Sequence, residues 1–145
     1  MKLSVIEVPH EEAEEVSVRC HDENAKWVND IRAVTAGEIA ITGMFDAKTY
    51  RLKLSDVYYF EVVDGHSFLY CHERVFECRL KLYEFEALTA GSMFFRSGKS
   101  MVLNADKIDC VKPSLSGRFE AMLTNGERVI ISRQYVSSLK KLLGL

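Results

Sequence analysis

One short stretch of the chain combines residue types that could bind an anion. It is Met93–Asn104, MFFRSGKSMVLN, in which two apolar runs flank a basic, hydroxyl-bearing bend around Gly98. Arg96 and Lys99 bring positive charge, the hydroxyl of Ser100 and exposed backbone N–H groups can donate, and glycine lets the backbone approach a ligand closely. Basic turns between strands are also common as mere solvated surface, so the stretch alone leaves both interpretations open.

Two other segments place hydrogen-bond donors at turns. Asp64–Gly65 is a strong hairpin signal, and it puts His66 and Ser67 at the tip of that hairpin. Near the C-terminus, Ser132 is a natural helix N-cap, which puts Arg133 in the first helical turn. Arg and Lys can contact guanine or phosphate, and His and Ser can donate to phosphates or base edges. From composition alone, a soluble β domain with ordinary surface charge remains the alternative.

The sequence carries no pattern typical of an enzyme or of a metal site. It has no GxSxG, HExxH, P-loop or GxGxxG motif. The doublets Cys20-His21 and Cys71-His72 invite a zinc hypothesis, but adjacent residues of a strand point to opposite faces and do not easily chelate one ion. The four cysteines are widely spaced and lack a CxxC pair. We therefore expect a protein that is not an enzyme and that needs neither a cofactor nor a metal.

The composition indicates a soluble globular protein. A chain of 145 residues with 48% hydrophobic and 28% charged residues fits one domain with at most a small attachment. No apolar run approaches the roughly 18 residues that a membrane helix needs, and the N-terminus lacks a signal-peptide core. We therefore expect a cytoplasmic protein without membrane insertion.

The charge is distributed unevenly along the chain. Residues 1–46 carry four basic and ten acidic residues, whereas the part from Arg96 onward carries nine basic and four acidic residues. The two parts thus have net charges of −6 and +5. The C-terminal part is therefore the one that suits a polyanionic partner.

The N-terminal residues predict a small strand–strand–helix piece. Strands are predicted over Lys2–Val8 and Val16–Cys20, and a helix is predicted from an N-cap at Asn24 to a stop at Gly37. The apolar residues at helical spacing are Trp27, Val28, Ile31 and Val34. Because such a piece is too small to be stable alone, we expect it to pack on the remainder or to form a dimer contact.

From residue 38 onward the pattern predicts many short strands with one inserted helix, over Lys81–Thr89, and a second helix after Ser132. Asn125–Gly126 predicts a second hairpin. Besides the two runs of the opening stretch, the predicted strands are Glu38–Thr42, Thr49–Leu54, Val57–Val63, Ser67–Cys71, Arg74–Leu80, Ile108–Lys112, Arg118–Leu123 and Arg128–Ser132. This order predicts a mainly β (α+β) fold.

From about Gly43 to Leu145 the chain resembles the LytTR DNA-binding domain of bacterial transcription regulators. The matching pieces, in order, are DVYYFEVVDGHSFLY, LYEFEAL, FFRSGKSMVLNADKI and LTNGERVIISRQYVSSLKKLL. The resemblance implies several small antiparallel sheets with one inserted and one C-terminal helix, preceded here by the strand–strand–helix piece. It also implies that loops, rather than a recognition helix, enter successive major grooves of DNA.

The resemblance assigns DNA contacts to three positions. The hairpin-tip position falls at Ser67, with His66 beside it, the residue before the serine of the FxRxxxS pattern is Lys99, and the arginine of the SRxY segment is Arg133. At the position two residues after the arginine of the FxR segment, where many relatives have histidine, this chain has Gly98.

Two further residues of the bend, Arg96 and Ser100, are assigned a supporting role. For Arg96 the residue type leaves two interpretations open, a phosphate contact and an internal salt bridge with a carboxylate.

The resulting expectation divides the chain in two. Residues 1–37 form an acidic segment that could dimerise the protein, and residues 38–145 form the DNA-binding domain. The chain lacks the receiver domain of many regulators of this family and resembles their stand-alone members. We expect a sequence-specific transcription regulator that binds double-stranded DNA as a homodimer, with a regulatory membrane protein as a possible further partner. The alternative is a cytosolic protein-interaction module that partners a membrane or signalling protein.

Overall fold

The computed structural model describes residues 1–13, 15–35 and 39–145, without the side chains of Ala33 and Thr35. Three α-helices occur in these ranges: α1 (Lys26–Thr35), α2 (Leu82–Leu88) and α3 (Val136–Leu143). The strands are β1 (Ala40–Phe45), β2 (Lys48–Lys53), β3 (Tyr59–Val63), β4 (His66–Tyr70), β5 (Val75–Cys78), β6 (Phe94–Gly98), β7 (Met101–Asn104), β8 (Ile108–Pro113), β9 (Phe119–Leu123) and β10 (Arg128–Ile131). The prediction of a mainly β fold is confirmed. Among the described residues, the three helices are too short to span a membrane.

The described strands form two antiparallel sheets. Seven of them join one sheet in the order β2-β1-β5-β4-β3-β7-β6, and the other three form a second sheet in the order β10-β9-β8. The first sheet is larger than the several small sheets that were expected, because β7 pairs with both β3 and β6 and so extends the sheet past the inserted helix. Strands β2 and β6 are its two edges.

The central strand β3 is apolar on both faces because each face lies on a different core. Tyr59 belongs to a core cluster that includes Leu103 and residues of β9, β10 and α3. The next residue, Phe60, belongs to a second cluster together with Leu69 and Phe85 of α2. This arrangement follows from the alternation of side chains along a strand. The large sheet is thus covered by the small sheet and α3 on one face and by α2 on the other.

Helix α2 is attached to the sheet by an aromatic pair. The Phe85 ring stacks on the Phe60 ring with centroids 4.4 Å apart and an interplanar angle of 9°. The helix begins where the Glu84 carboxylate accepts from the backbone N–H of Lys81, and it ends where the buried Thr89 hydroxyl donates to the carbonyl of Phe85. The predicted helix over Lys81–Thr89 is therefore confirmed, with one residue fewer at each end.

Three hairpin turns show how the turn chemistry compares with expectation. Asp64–Gly65 connects β3 to β4 as predicted, with φ of 50° and 76°, the conformation of a two-residue hairpin turn. Asn125–Gly126 lies in the predicted hairpin between β9 and β10, where only Gly126 has a positive φ, of 89°. Asp46–Ala47 forms a third such turn, with φ of 51° and 57°, although it contains no glycine and was not predicted.

The N-terminal piece differs from its prediction. The helix is confirmed as α1, but its first backbone bonds go to the carbonyl of Ala25, one residue after the expected cap. The predicted strands over Lys2–Val8 and Val16–Cys20 were wrong: the described residues before α1 contain no strand. The expected stop at Gly37 lies outside the described residues. Alternation of apolar residues predicts a strand only where a neighbouring strand completes its hydrogen bonds, and here none is present among the described residues.

The apolar residues of α1 are only partly covered. Val28 is 5% exposed, so the helix packs through this residue, and a groove beside α1 is lined by residues of α3 and by Gly91 and Ser92. Trp27 and Ile31 are half-buried. Val34, by contrast, is 81% exposed.

Candidate nucleic-acid interface

The hairpin tip between β3 and β4 and the bend between β6 and β7 lie at the same end of the large sheet. Strand β3 pairs with β4 on one side and with β7 on the other. The backbone N–H of Val62, which is opposite Ser67 in the hairpin, donates to the carbonyl of Ser100 at 2.9 Å. Two of the three segments predicted to meet DNA are therefore neighbours.

The third segment, around Arg133, is joined to the bend through a β-bulge. Between Arg96 and Gly98 the register of β6 against β7 shifts, which leaves Ser97 outside the regular ladder. The carbonyl of Ser97 accepts from the backbone N–H of Ser132 at 2.9 Å. Because a bulge frees a backbone group from its own ladder, it lets β6 bond to the small sheet instead.

At the hairpin tip the two candidate residues point in different directions. His66 is exposed, and its Nδ1 lies 3.3 Å from a carboxylate oxygen of Glu77 on β5. Ser67 is 8% exposed, since alternation along β4 turns it to the opposite face from His66. The structure therefore favours His66 over Ser67 as the residue at this tip that could reach a ligand.

In the bend, the strands extend further than predicted and leave only Lys99 and Ser100 as the turn itself. Lys99 is exposed and Ser100 is half-buried. The Arg96 side chain is directed into the protein: its Nε donates to the carbonyl of Gly98 at 2.6 Å, and its terminal nitrogens contact the carbonyl of Lys99 and the carboxylate of Glu86. Of the two interpretations of Arg96, the internal salt bridge is the one present in this conformation.

Arg133 lies in a single 3-10 turn, Arg133–Tyr135, that leads into α3, and Ser132 is the N-cap residue of this turn. The side chain of Arg133 lies over the loop that contains Gly117, a proximity that the sequence does not predict. A Cβ atom added at Gly117 would lie 2.9 Å from Cδ of Arg133. Gly117 itself has a φ of 74°. The absence of a side chain at Gly117 therefore makes room for the stem of Arg133.

The loop that contains Gly117 adds a basic residue that the sequence analysis missed. It spans residues 114–118 and is closed by backbone bonds from Ser114 to the carbonyl of Arg118 and from Arg118 to the carbonyl of Leu115. Arg118 is exposed. The signal available in the sequence was the run PSLSGR, in which small polar residues and a glycine precede a cation.

The cations of this surface differ in whether a carboxylate pairs with them. Among the described residues, Lys99, Arg118 and Arg133 have no carboxylate within salt-bridge distance, whereas Arg96 pairs with Glu86. Cations without a partner keep their charge available for a phosphate or a base edge. We call the exposed residues His66, Lys99, Arg118 and Arg133, with Ser100, the basic end of the sheet.

Burial also shifts the pKa of two other titratable groups, both on β3. Burial raises the pKa of Tyr59, whose hydroxyl donates to Glu127 at 3.2 Å, and burial likewise raises the pKa of Glu61. Within the described ranges, no three His, Cys, Asp or Glu side chains come together as a metal site would require. An open cleft of about 640 Å³ between Tyr58, Phe76 and Lys107 includes none of the predicted site residues.

Comparisons with known proteins agree with this architecture. The family described as LytTr DNA-binding domain matches residues 47–144. The sensory transduction protein LytT of Enterococcus faecalis is 28% identical over 98 residues, which are 68% of this chain and 40% of that protein. The chain thus spans less than half the length of this relative.

A solved structure gives the same result for the fold. The LytTr DNA-binding domain of a putative methyl-accepting/DNA response regulator from Bacillus cereus aligns with a TM-score of 0.69 and 29% identity. The alignment covers 75% of this chain and 100% of that one. The predicted resemblance and the predicted antiparallel, mainly β architecture are both confirmed.

Proposed function

The chain belongs to the LytTR DNA-binding domain family, and from this membership we propose that it is a transcription regulator that binds double-stranded DNA sequence-specifically. A DNA-binding family implies a regulator rather than an enzyme. As a protein that acts on bacterial DNA, it would work in the cytoplasm. The observation that carries the proposal is the position of Lys99 and Arg133, exposed and without a carboxylate partner in the described residues, on two segments joined by the Ser97–Ser132 bond.

We infer that the basic end of the sheet enters the DNA grooves with its loops. Arg133 has the planar fork of donors that recognises guanine in the major groove, and Lys99 can contact either a guanine or a phosphate. His66, on the neighbouring hairpin tip, would reach a second point on the duplex, and Ser100 would support Lys99. The side chain of Ser67 is buried. We therefore assign Ser67 a structural role in the hairpin rather than a contact with DNA.

We further propose that two copies bind two half-sites as a homodimer through the N-terminal segment. This segment exposes apolar side chains to an unusual degree: Leu3, Val5 and Ile6 are 87%, 84% and 81% exposed, respectively, and Val34 of α1 is equally exposed. These side chains are available for contact with a partner and would lose their exposure to water in a dimer. The same observation supports the second candidate, a cytosolic protein-interaction module in which this segment contacts a membrane or signalling protein.

The direct test is an in vitro selection of duplexes from a random-sequence library by the wild-type protein. Binding of the selected duplex is then measured by fluorescence anisotropy at several salt concentrations. We expect the affinity to fall steeply with salt, because each neutralised phosphate contributes a slope of about −0.9 in log K against log salt. Recovery of no enriched sequence, or binding that is independent of salt, would refute the proposed function.

A further inference from the structure

Each of the three guanidinium nitrogens of Arg96 has a hydrogen-bond partner within the protein. Its Nε donates to the carbonyl of Gly98 at 2.6 Å, one terminal nitrogen contacts the carbonyl of Lys99, and the other contacts the carboxylate of Glu86 on α2. The guanidinium carbon also lies 5.8 Å from the centre of the Tyr135 ring, at the start of α3. A single side chain therefore connects β6, the bend, α2 and the segment that carries Arg133.

The two contacts to successive carbonyls define the shape of the bend. The donors of a guanidinium lie in one rigid plane, so the carbonyls of Gly98 and Lys99 must both face Arg96. With its own carbonyl turned inward, Lys99 leaves its side chain exposed to solvent. The conformation that presents Lys99 thus depends on the position of the Arg96 guanidinium.

Glu86 fixes that position from outside the bend. Its carboxylate is half-buried, with a side-chain exposure of 40% against 28% for Arg96. If Arg96 left this site to bind a phosphate, it would leave a carboxylate and two carbonyls without their donor, and the loss of donors to partly buried groups is costly. Near DNA, an unpaired Glu86 would also repel the backbone.

We propose that Arg96 is a positioning residue rather than a DNA contact, and that Glu86 of α2 is its anchor. Together they hold the bend so that Lys99 meets the DNA. The proposal rests on the proposed function, because it assigns roles within the same DNA-binding surface. It also gives α2, a helix that contributes no residue to the basic end, a defined effect on DNA binding.

The substitution that separates the two roles is Glu86→Ala. If Arg96 binds a DNA phosphate, Glu86→Ala would free it from its carboxylate partner and would also remove a negative charge near the DNA. The affinity for DNA would then rise. A positioning Arg96 would lose its anchor, and we expect the affinity for the selected duplex to fall by about tenfold, the size of one lost contact. Glu86→Gln keeps an oxygen that accepts from Arg96, and its affinity is expected to lie between those of the wild type and Glu86→Ala.

Two further variants test whether the effect acts through Lys99. In a Lys99→Ala background, Glu86→Ala is expected to cause no further loss, because the contact that it positions is already gone. Arg96→Lys keeps the charge for a phosphate but cannot reach two carbonyls and a carboxylate at once. We therefore expect Arg96→Lys to bind about as weakly as Glu86→Ala.

Glu73→Ala serves as the charge control, because Glu73 is exposed in the loop between β4 and β5, at the opposite end of the sheet from the bend. Thermal unfolding checks that each variant is folded at the assay temperature. Binding by Glu86→Ala that equals or exceeds that of the wild type, or a full additional loss in the Lys99→Ala background, would overturn the positioning role. Failure of the wild-type protein itself to select a duplex would instead refute the proposed function.

Discussion

The backbone N–H of Ser132 donates to the carbonyl of Ser97 at 2.9 Å, and this bond joins the end of the small sheet to the edge of the large one. Ser97 is fully buried and belongs to the bulge in β6, two residues before Lys99. Ser132 directly precedes Arg133. A fixed backbone contact thus sets the spacing between the two cations that we propose to meet DNA.

The first prediction concerns these two cations. Arg133→Ala and Lys99→Ala should each weaken binding to the selected duplex by about 1–3 kcal/mol if the contact is to a base, and a phosphate contact should instead reduce the salt slope by about one. Anisotropy titrations at several salt concentrations measure both quantities. Lys48→Ala is the matched control, because Lys48 is an exposed lysine on β2, the far edge of the sheet. Equal losses in Lys48→Ala and Lys99→Ala would show that the effect is only one of net charge.

The second prediction concerns the glycine beneath Arg133. Gly117→Ala would place a Cβ atom 2.9 Å from Cδ of Arg133, so the arginine must move and DNA binding should weaken severalfold. Gly126→Ala is the control, since Gly126 also has a positive φ but has no atom within 4 Å of an added Cβ. Both variants should lose about 1–2 kcal/mol of stability from the left-handed backbone. Only Gly117→Ala should lose affinity, and equal affinity in the two variants would contradict the contact with Arg133.

The sequence predicted those parts of the fold that depend on local patterns. The Asp64–Gly65 hairpin and helix α2 follow from turn residues and from apolar periodicity, and both are confirmed. The same reasoning failed for Lys2–Val8, where alternation is present but no neighbouring strand occurs among the described residues. Strand formation depends on pairing, so the pattern of one segment cannot establish it.

The site was less predictable, because its geometry comes from contacts that are distant in sequence. The bulge at Ser97 cannot be seen in the run FFRSGKS, since it requires the bond to Ser132. The burial of Ser67 follows from which face of β4 lies on the core, and the proximity of Gly117 to Arg133 depends on how the small sheet is placed. Residue types identified the cations, and only the fold showed which of them are presented and which are engaged.

The third prediction tests the hairpin turn that lacks glycine. Ala47 has a φ of 57°, a region that costs an alanine about 1–2 kcal/mol. Ala47→Gly should relieve most of this cost. The greater freedom of glycine in the unfolded chain offsets part of the gain, so the net rise in the free energy of unfolding should be about 1 kcal/mol or less. Urea unfolding measures the change. Ala87→Gly, an exposed position of α2, should lose about 1 kcal/mol. A loss of stability in both variants would contradict the strain at Ala47.

The fourth prediction concerns the order in which the cysteines react. Burial raises the pKa of Cys71 to about 11, and burial also raises the pKa of Cys78. Because the thiolate is the reactive form, both should be slow towards iodoacetamide at neutral pH. Cys20 and Cys110 are exposed and should be alkylated first, as peptide mass spectrometry of time points can show. In urea all four should react alike, and early labelling of Cys71 in the folded protein would contradict its burial.

The last prediction concerns dimerisation through α1. Val34 is 81% exposed, so Val34→Asp should disrupt a contact between two copies without disturbing the monomer, whereas Trp27 is half-buried and its substitution would also affect folding. Sedimentation velocity should show a dimer for the wild type and a monomer for Val34→Asp. Binding to a duplex with two half-sites should then weaken by about a hundredfold through lost avidity. Val75→Asp, at another exposed valine on β5, is the control, and an unchanged dimer in Val34→Asp would exclude α1 as the interface.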